Sequence, residues 1–242
     1  MDKYNKNFEF ISNIDLLNKN SWSKIFFLTF DMEWVHDVVL EDVLSILKKT
    51  KTKSTWFVTH QTNFLSEMNK NEIFELGIHP NFNFLLSKKE EKSADQILDF
   101  YMNLVPNAKS IRSHSLTQSS YLLNLFKERG FEYESNTFIP SHLNLNVMPW
   151  MHWSGLVSVP ITWEDDIFMH YELTNFKEKT SLSFLERNKF SVFNFHPLHI
   201  YINSSSIEHY ENAKIHYNNP KKLLELRHKG YGMRNFLLEL IS

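Results

Sequence analysis

The segment Thr29-Phe30-Asp31-Met32-Glu33-Trp34 places two carboxylates two positions apart, directly after the apolar run Ile25-Phe26-Phe27-Leu28. In an extended chain, residues i and i+2 share a face. Asp31 and Glu33 therefore project together from the C-terminal end of a strand, the end at which barrel enzymes carry their chemistry. Two like charges this close are costly to bury unless a cation or a proton is shared between them. The pair calls for a metal ion, a shared proton or open solvent, and a solvated strand end is the plainest of the three.

Three further strand ends carry side chains of the same kind. Gly77-Ile78-His79-Pro80 ends in a histidine that the proline ring holds in place, with Asn83 four positions on. Ile111-Arg112-Ser113-His114 puts a guanidinium and an imidazole on one face, and Phe193-Asn194-Phe195-His196-Pro197 is followed by His199. Each has an ordinary reading: a surface histidine before proline, an arginine paired with a neighbouring acid, a histidine capping the next helix. Repetition at successive strand ends argues against all of these together. The chain has no cysteine, so any metal must be held by His, Asp, Glu or Asn.

The elements that must position these residues alternate in character. Strand-like runs cover 25–31, 54–59, 109–114, 131–135, 156–162 and 190–196, with a short strand or turn at 77–79. Helical patterns cover 38–48, 67–76, 87–105, 118–129 and 231–241. Ser87 with Glu90 reads as an N-cap, Ile97, Phe100, Tyr101 and Leu104 as an apolar stripe, and Gly130 as a C-terminal stop. Residues 136–153, rich in Asn, Pro and His, read as a long loop. Strand–helix alternation predicts a mainly parallel α/β sheet in one domain, a (β/α) barrel or a close variant spanning 1–242. With 242 residues and 21 phenylalanines there is ample material for its core. A net charge of -2 gives no field for nucleic acid or a membrane surface. The polar start, Met1-Asp2-Lys3-Tyr4-Asn5, and the lack of any bilayer-length apolar run predict a cytoplasmic protein with no transmembrane segment.

In these motifs the chain resembles the polysaccharide deacetylase superfamily, the NodB-homology or carbohydrate esterase family 4 enzymes, and within it the WbmS-like branch. The matching residues are Thr29-Phe30-Asp31-Met32-Glu33, His79-Pro80-Asn81-Phe82-Asn83, Arg112 and Phe195-His196-Pro197, in the family's order over about residues 25–200. The resemblance implies a distorted (β/α)7 barrel and metal-assisted hydrolysis of an acyl group on a sugar. It implies a divalent metal, zinc by preference, on Glu33, His79 and His114, with Asp31 as general base and His196 as the acid that protonates the leaving amine. Arg112 would orient Asp31. Trp34 and Trp163 would stack on the sugar, and His199 is a second candidate acid or ligand. The expected substrate is a small molecule or glycan, such as a nucleotide-sugar or a lipid-linked intermediate, in surface-glycan biosynthesis.

Two departures from the family pattern stand out. Asn83 occupies the place of the usual second metal histidine, and His114 the place of a proline. His114 can supply the missing ligand from the next strand, or Asn83 can coordinate through its carbonyl, or the metal can be lost. A metal-independent hydrolase of cyclic amides or imides and an inactive sugar-binding homologue are the competing functions.

Overall fold

Four uncharged runs rich in aromatic and β-branched residues supply the centre of one sheet, because only strands covered on both faces tolerate such sequences. In the computed structural model, which describes residues 7–87, 92–140, 143, 145–170 and 190–242, these are β1 (Phe26–Asp31), β2 (Ser54–Val58), β3 (Phe74–Ile78) and β9 (Ser191–Phe195). Between β3 and β9 come two-residue strands: β4 (Ser110–Ile111), β5 (Tyr133–Glu134), β6 (Trp150–Met151), β7 (Val157–Ser158) and β8 (Trp163–Glu164). The order across the sheet is β6-β7-β5-β4-β3-β2-β1-β9-β8, and only the β6–β7 pair is antiparallel. Phe30 lies level with Trp56 on one side and Phe195 on the other. The sheet curls into an open barrel of the (β/α)7 type.

Alternation along the strands separates two cores. Outward residues such as Leu28, Phe30, Trp56, Val58, Phe193 and Phe195 pack under the helices. Inward residues Phe27, Phe57 and Val192 form a second cluster with Ile11, Ile14 and Trp22 of the N-terminal segment. That segment plugs the barrel from the N-terminal ends of the strands, where Ile11 N–H donates to Thr55 Oγ1 at 3.2 Å and Ser12 Oγ to Glu75 at 3.0 Å. The inward positions at the opposite ends, Asp31, His79 and Asn194 among them, are left to line a cavity.

The helices follow their caps. His36 Nδ1 accepts from Val38 N–H to open the helix Asp37–Thr50, and Ser119 caps Ser120–Glu128. In the closing helix, Met233–Ile241, Phe236, Leu237 and Leu240 are buried as the periodicity predicts. Among the described residues no helix is long and apolar enough to cross a membrane.

Several predicted elements differ. The helix expected over 67–76 is only Leu65–Met68, and Phe74–Ile78 is strand. Gly77 accounts for this. A Cβ there would stand 2.6 Å from Ser110 Oγ and 3.0 Å from Phe57, so the glycine is a close-packed point of the sheet. The helix expected over 87–105 runs from Ala94 to Leu104, with Ser93 and Gln96 making the capping box. Ser87 ends a separate short helix, Asn83–Ser87, and Glu90 lies outside the described residues. Phe100, placed in the apolar stripe by periodicity, is 54% exposed. The strands expected over 109–114, 131–135 and 156–162 pair over two residues each, because their ends bend away to carry site residues. The loop expected over 136–153 contains β6, folded back on β7.

Candidate active site

β1 ends at Asp31, and the chain then turns sharply. Met32 is fully buried, and its N–H donates to Phe57 O at 3.1 Å. Glu33 and Trp34 follow with φ of 48° and 53°, left-handed values that side chains other than glycine rarely adopt. The turn is held by Trp34 N–H on Thr59 Oγ1 at 3.0 Å, Val35 N–H on Met32 O at 3.2 Å and the Tyr217 hydroxyl on Glu33 O. Asp31 and Glu33 thus face one cavity through a strained turn, not through strand alternation as the spacing suggests.

Glu33, His79 and His114 converge. Glu33 Oε1 lies 3.0 Å from His79 Nε2 and 2.9 Å from His114 Nδ1. His79 continues β3, its N–H on Val58 O at 2.8 Å. His114 opens a 3₁₀ turn after β4, its N–H on Pro80 O at 2.9 Å. Burial raises the Glu33 pKa, but the hydrogen bonds from His114 and His79 outweigh it and hold the carboxyl well below the usual carboxylate range. Asn83 is elsewhere: its amide donates to Ser115 Oγ at 3.1 Å and its carbonyl accepts from Thr117 Oγ1 at 2.7 Å. It braces the turn that carries His114, in which Ser115 and Leu116 both have positive φ.

Beside this triad lies a buried ionic floor. Arg112 is fully buried, its guanidinium 4.2 Å over the Phe57 ring. Nη1 donates to Asp31 Oδ1 at 3.0 Å and to Thr29 Oγ1 at 3.0 Å, and Nη2 to Ser135 Oγ at 2.8 Å. The other Asp31 oxygen accepts from Asn194 Nδ2 at 2.9 Å. Burial pushes the Asp31 pKa up, yet Arg112, His79 and His196 more than offset it and leave the group ionised below its ordinary value.

On the far wall, His196 Nδ1 meets Asp165 Oδ1 at 2.6 Å and its backbone N–H donates to Asp165 Oδ2 at 2.8 Å. Burial lowers the His196 pKa, but Asp166, Asp165 and Asp31 raise it well above the ordinary histidine value. Asp166 pairs with His199 Nε2 at 2.6 Å, and His199 Nδ1 reaches Ser204 Oγ at 2.8 Å. Glu164 also lines the cavity. Its Oε2 is buried without a partner, and burial first, with Asp31, Asp166 and Asp165, pushes its pKa up to about 7. The cavity among these groups measures about 130 Å³ and is closed further by Tyr210 and Tyr217.

Most residues singled out in the sequence meet here: Asp31, Glu33, His79, Arg112, His114 and His196. Trp163 does not. It is 4% exposed and packs on Phe193, Phe195 and Phe236, so it belongs to the core and faces no substrate. His199 is 1% exposed and stands behind His196, tied to Asp166. Trp34 is at the rim, 38% exposed, its ring edge-on to His114 at 5.1 Å between centroids. Sequence reasoning missed Asn194, Glu164, Asp165 and Asp166. The signal for the acids is the run Glu164-Asp165-Asp166 directly after a strand candidate, and for Asn194 it is one amide inside an apolar strand.

An ionised aspartate on a buried arginine, facing a charged imidazole at the C-terminal mouth of a curled parallel sheet, defines a hydrolase of the polysaccharide-deacetylase class. The chain belongs to the WbmS-like polysaccharide deacetylase family, whose model matches residues 28–214. It is a deacetylase-type hydrolase acting on carbon–nitrogen bonds. A crystal structure from Bordetella bronchiseptica, WbmS, described as a polysaccharide deacetylase involved in O-antigen biosynthesis, is 37% identical. The match covers 97% of each chain with a TM-score of 0.90. A polysaccharide deacetylase structure from Mycobacterium smegmatis shares the fold at 14% identity and a TM-score of 0.55, over 95% of this chain and 85% of that one. Comparison with the curated proteins gives no match.

Proposed function

We propose that this deacetylase is metal-dependent and removes an N-acyl group from a sugar or sugar-containing precursor in surface-glycan biosynthesis. The observation that carries the reading is the convergence of Glu33, His79 and His114, whose ligand atoms all lie within 4.8 Å of one another. One carboxylate and two neutral imidazoles fit a catalytic zinc site, which keeps a further position for water. His79 Nδ1 is buried without a hydrogen bond, as suits an imidazole ring oriented by ligation through Nε2. The surface-glycan assignment draws on the likeness to the Bordetella protein and its description.

When bound, the ion would polarise the acyl carbonyl and lower the pKa of a water molecule towards neutrality. Asp31 takes the proton of the attacking water on Oδ2, the oxygen on the His196 side, while Arg112 and Asn194 hold the carboxylate in place. Water adds to the acyl carbon and the carbon–nitrogen bond breaks. His196 Nε2 gives its proton to the departing nitrogen, and Asp165 stabilises the imidazolium beforehand. The products are a carboxylic acid and an amino sugar. The two buried ion pairs weigh against a bare sugar-binding role, which needs neither.

The test is metal content together with acyl release from N-acylated sugars. About one equivalent of a divalent ion, with activity lost on chelation and restored on reloading, supports the reading. A protein that turns over fully with no ion overturns it.

A further inference from the structure

Beside the triad, on the other side of Trp34, lies a second and larger cavity of about 510 Å³, within the about 300–1,000 Å³ typical of small-molecule sites. Its floor is apolar and buried, formed by Ile97 and Tyr101. Its walls are exposed aromatic rings: Trp34 at 38%, Phe84 at 39% and Phe100 at 54%. Three large exposed rings round one concavity are an unusual surface for a protein to leave uncovered. The Phe100 ring is the one that helical periodicity would have turned inward. Polar side chains, Asn81 and Gln96 among them, line the same cavity. The backbone strain at Glu33 and Trp34 has a consequence here. Two successive left-handed residues send Glu33 into the triad and Trp34 to the rim, so one turn joins the two cavities.

We propose that this aromatic groove is a saccharide subsite that binds the sugar ring next to the one bearing the acyl group, so that the substrate is a saccharide of at least two rings. Flat aromatic faces cover the apolar C–H faces of a pyranose, and amides at the edge meet its hydroxyls. A nucleobase would also stack on such rings, but a nucleotide-sugar must thread a diphosphate between the two cavities. The catalytic cavity is lined by Asp31, Glu33, Glu164 and Asp166, and among the described lining residues of both cavities Lys92 is the one Lys or Arg. Arg112 lies beneath Asp31 and is fully buried. That acidic surface repels a diphosphate and accepts a neutral glycan.

The inference rests on the N-deacylase reading, and the experiment separates the two. The metal-loaded protein is given N-acetylglucosamine, N-acetylgalactosamine, their N-acetylated disaccharides, and UDP-N-acetylglucosamine, and acetate release is followed. The expected result is a kcat/KM roughly tenfold or more higher on a disaccharide than on its monosaccharide. Phe100→Ala and Phe84→Ala, outside the catalytic cavity, should erase that gain while keeping the monosaccharide rate. Equal values on one ring and two, equal losses on both in the variants, or preference for the nucleotide-sugar overturn the subsite. If no probe releases acetate, the deacylase reading fails, and the groove is then judged by saturation-transfer NMR with the same disaccharides. Contact that is lost in Phe100→Ala sustains the subsite, and no contact with any disaccharide overturns it.

Discussion

His196 Nε2 lies 3.9 Å from Asp31 Oδ2, too far for a hydrogen bond and near enough for each to feel the other's charge. Each is held by a buried partner of opposite sign, Asp31 by Arg112 at 3.0 Å and His196 by Asp165 at 2.6 Å. The environments push the two groups apart in the sense that acid–base catalysis needs: the carboxyl is kept ionised and the imidazole kept protonated.

Activity should therefore follow a bell in pH whose alkaline limb lies above the ordinary histidine value. Asp165→Asn removes the charge on Nδ1, so the limb should move down by about one unit or more. An unmoved limb in that variant would show that His196 is not the group being titrated.

Asp31→Asn keeps the shape of the floor and its contact with Arg112 but removes the proton acceptor. Acyl release should fall by about 10²–10⁴-fold with substrate binding kept. Calorimetric titration of the variant beside a turnover assay checks both halves, and retained turnover would remove Asp31 from the role of base.

His79→Ala and His114→Ala should each abolish retention of the ion, measured by elemental analysis after dialysis. Asn83→Ala should still load one equivalent, with affinity weakened by about 10–100-fold, because Asn83 braces the turn of His114 through Ser115 and Thr117. Loss of the ion in Asn83→Ala and its retention in His114→Ala would exchange the two roles.

Arg112→Met leaves Asp31 charged, buried and short of its main partner, at a cost to stability of about 3–5 kcal/mol. Adding Asp31→Asn removes the stranded charge and should restore part of that loss. Urea unfolding of the single and double variants measures it, and strict additivity would mean that the pair is not coupled.

Glu164 links stability to pH in the opposite sense from a paired carboxylate. Its folded pKa, about 7, stands above the reference 4.5. Below pH 4.5 the group is neutral folded and unfolded. Between 4.5 and 7 the unfolded chain releases a proton that the folded one keeps, so stability falls as pH rises. The whole loss is about 3 kcal/mol at most. In metal-free protein, Glu164→Gln should gain that amount over the wild type between pH 4.5 and 8. A pH-independent difference between the two would place the Glu164 carboxylate in contact with solvent.

The sequence reached much of the site because its chemistry sits where strands stop. Asp31, His79 and His196 each end or directly follow an apolar run, and such runs pair as parallel strands whose ends fall on one side. Arg112 and His114 were found at the end of a strand that pairs over only two residues. Boundaries fared worse. Phe74–Ile78 scans as helix until Ser110 and Phe57 close on Gly77, and the cap at Ser93 competes in the sequence with an equally good one at Ser87.

What the chain determines by itself is the order of elements, the apolar faces and the family motifs, since these depend on side-chain type and local spacing alone. Tertiary structure decided the rest. It sent Trp163 into the core and Trp34 to the rim, although the two are the same residue in similar strand-end settings. It chose His114 over Asn83 for the triad and brought Asp165 under His196. These outcomes depend on distances between strands far apart in sequence and on a turn with two left-handed residues. No local periodicity encodes either, because both arise only when the curled sheet sets its strand ends side by side.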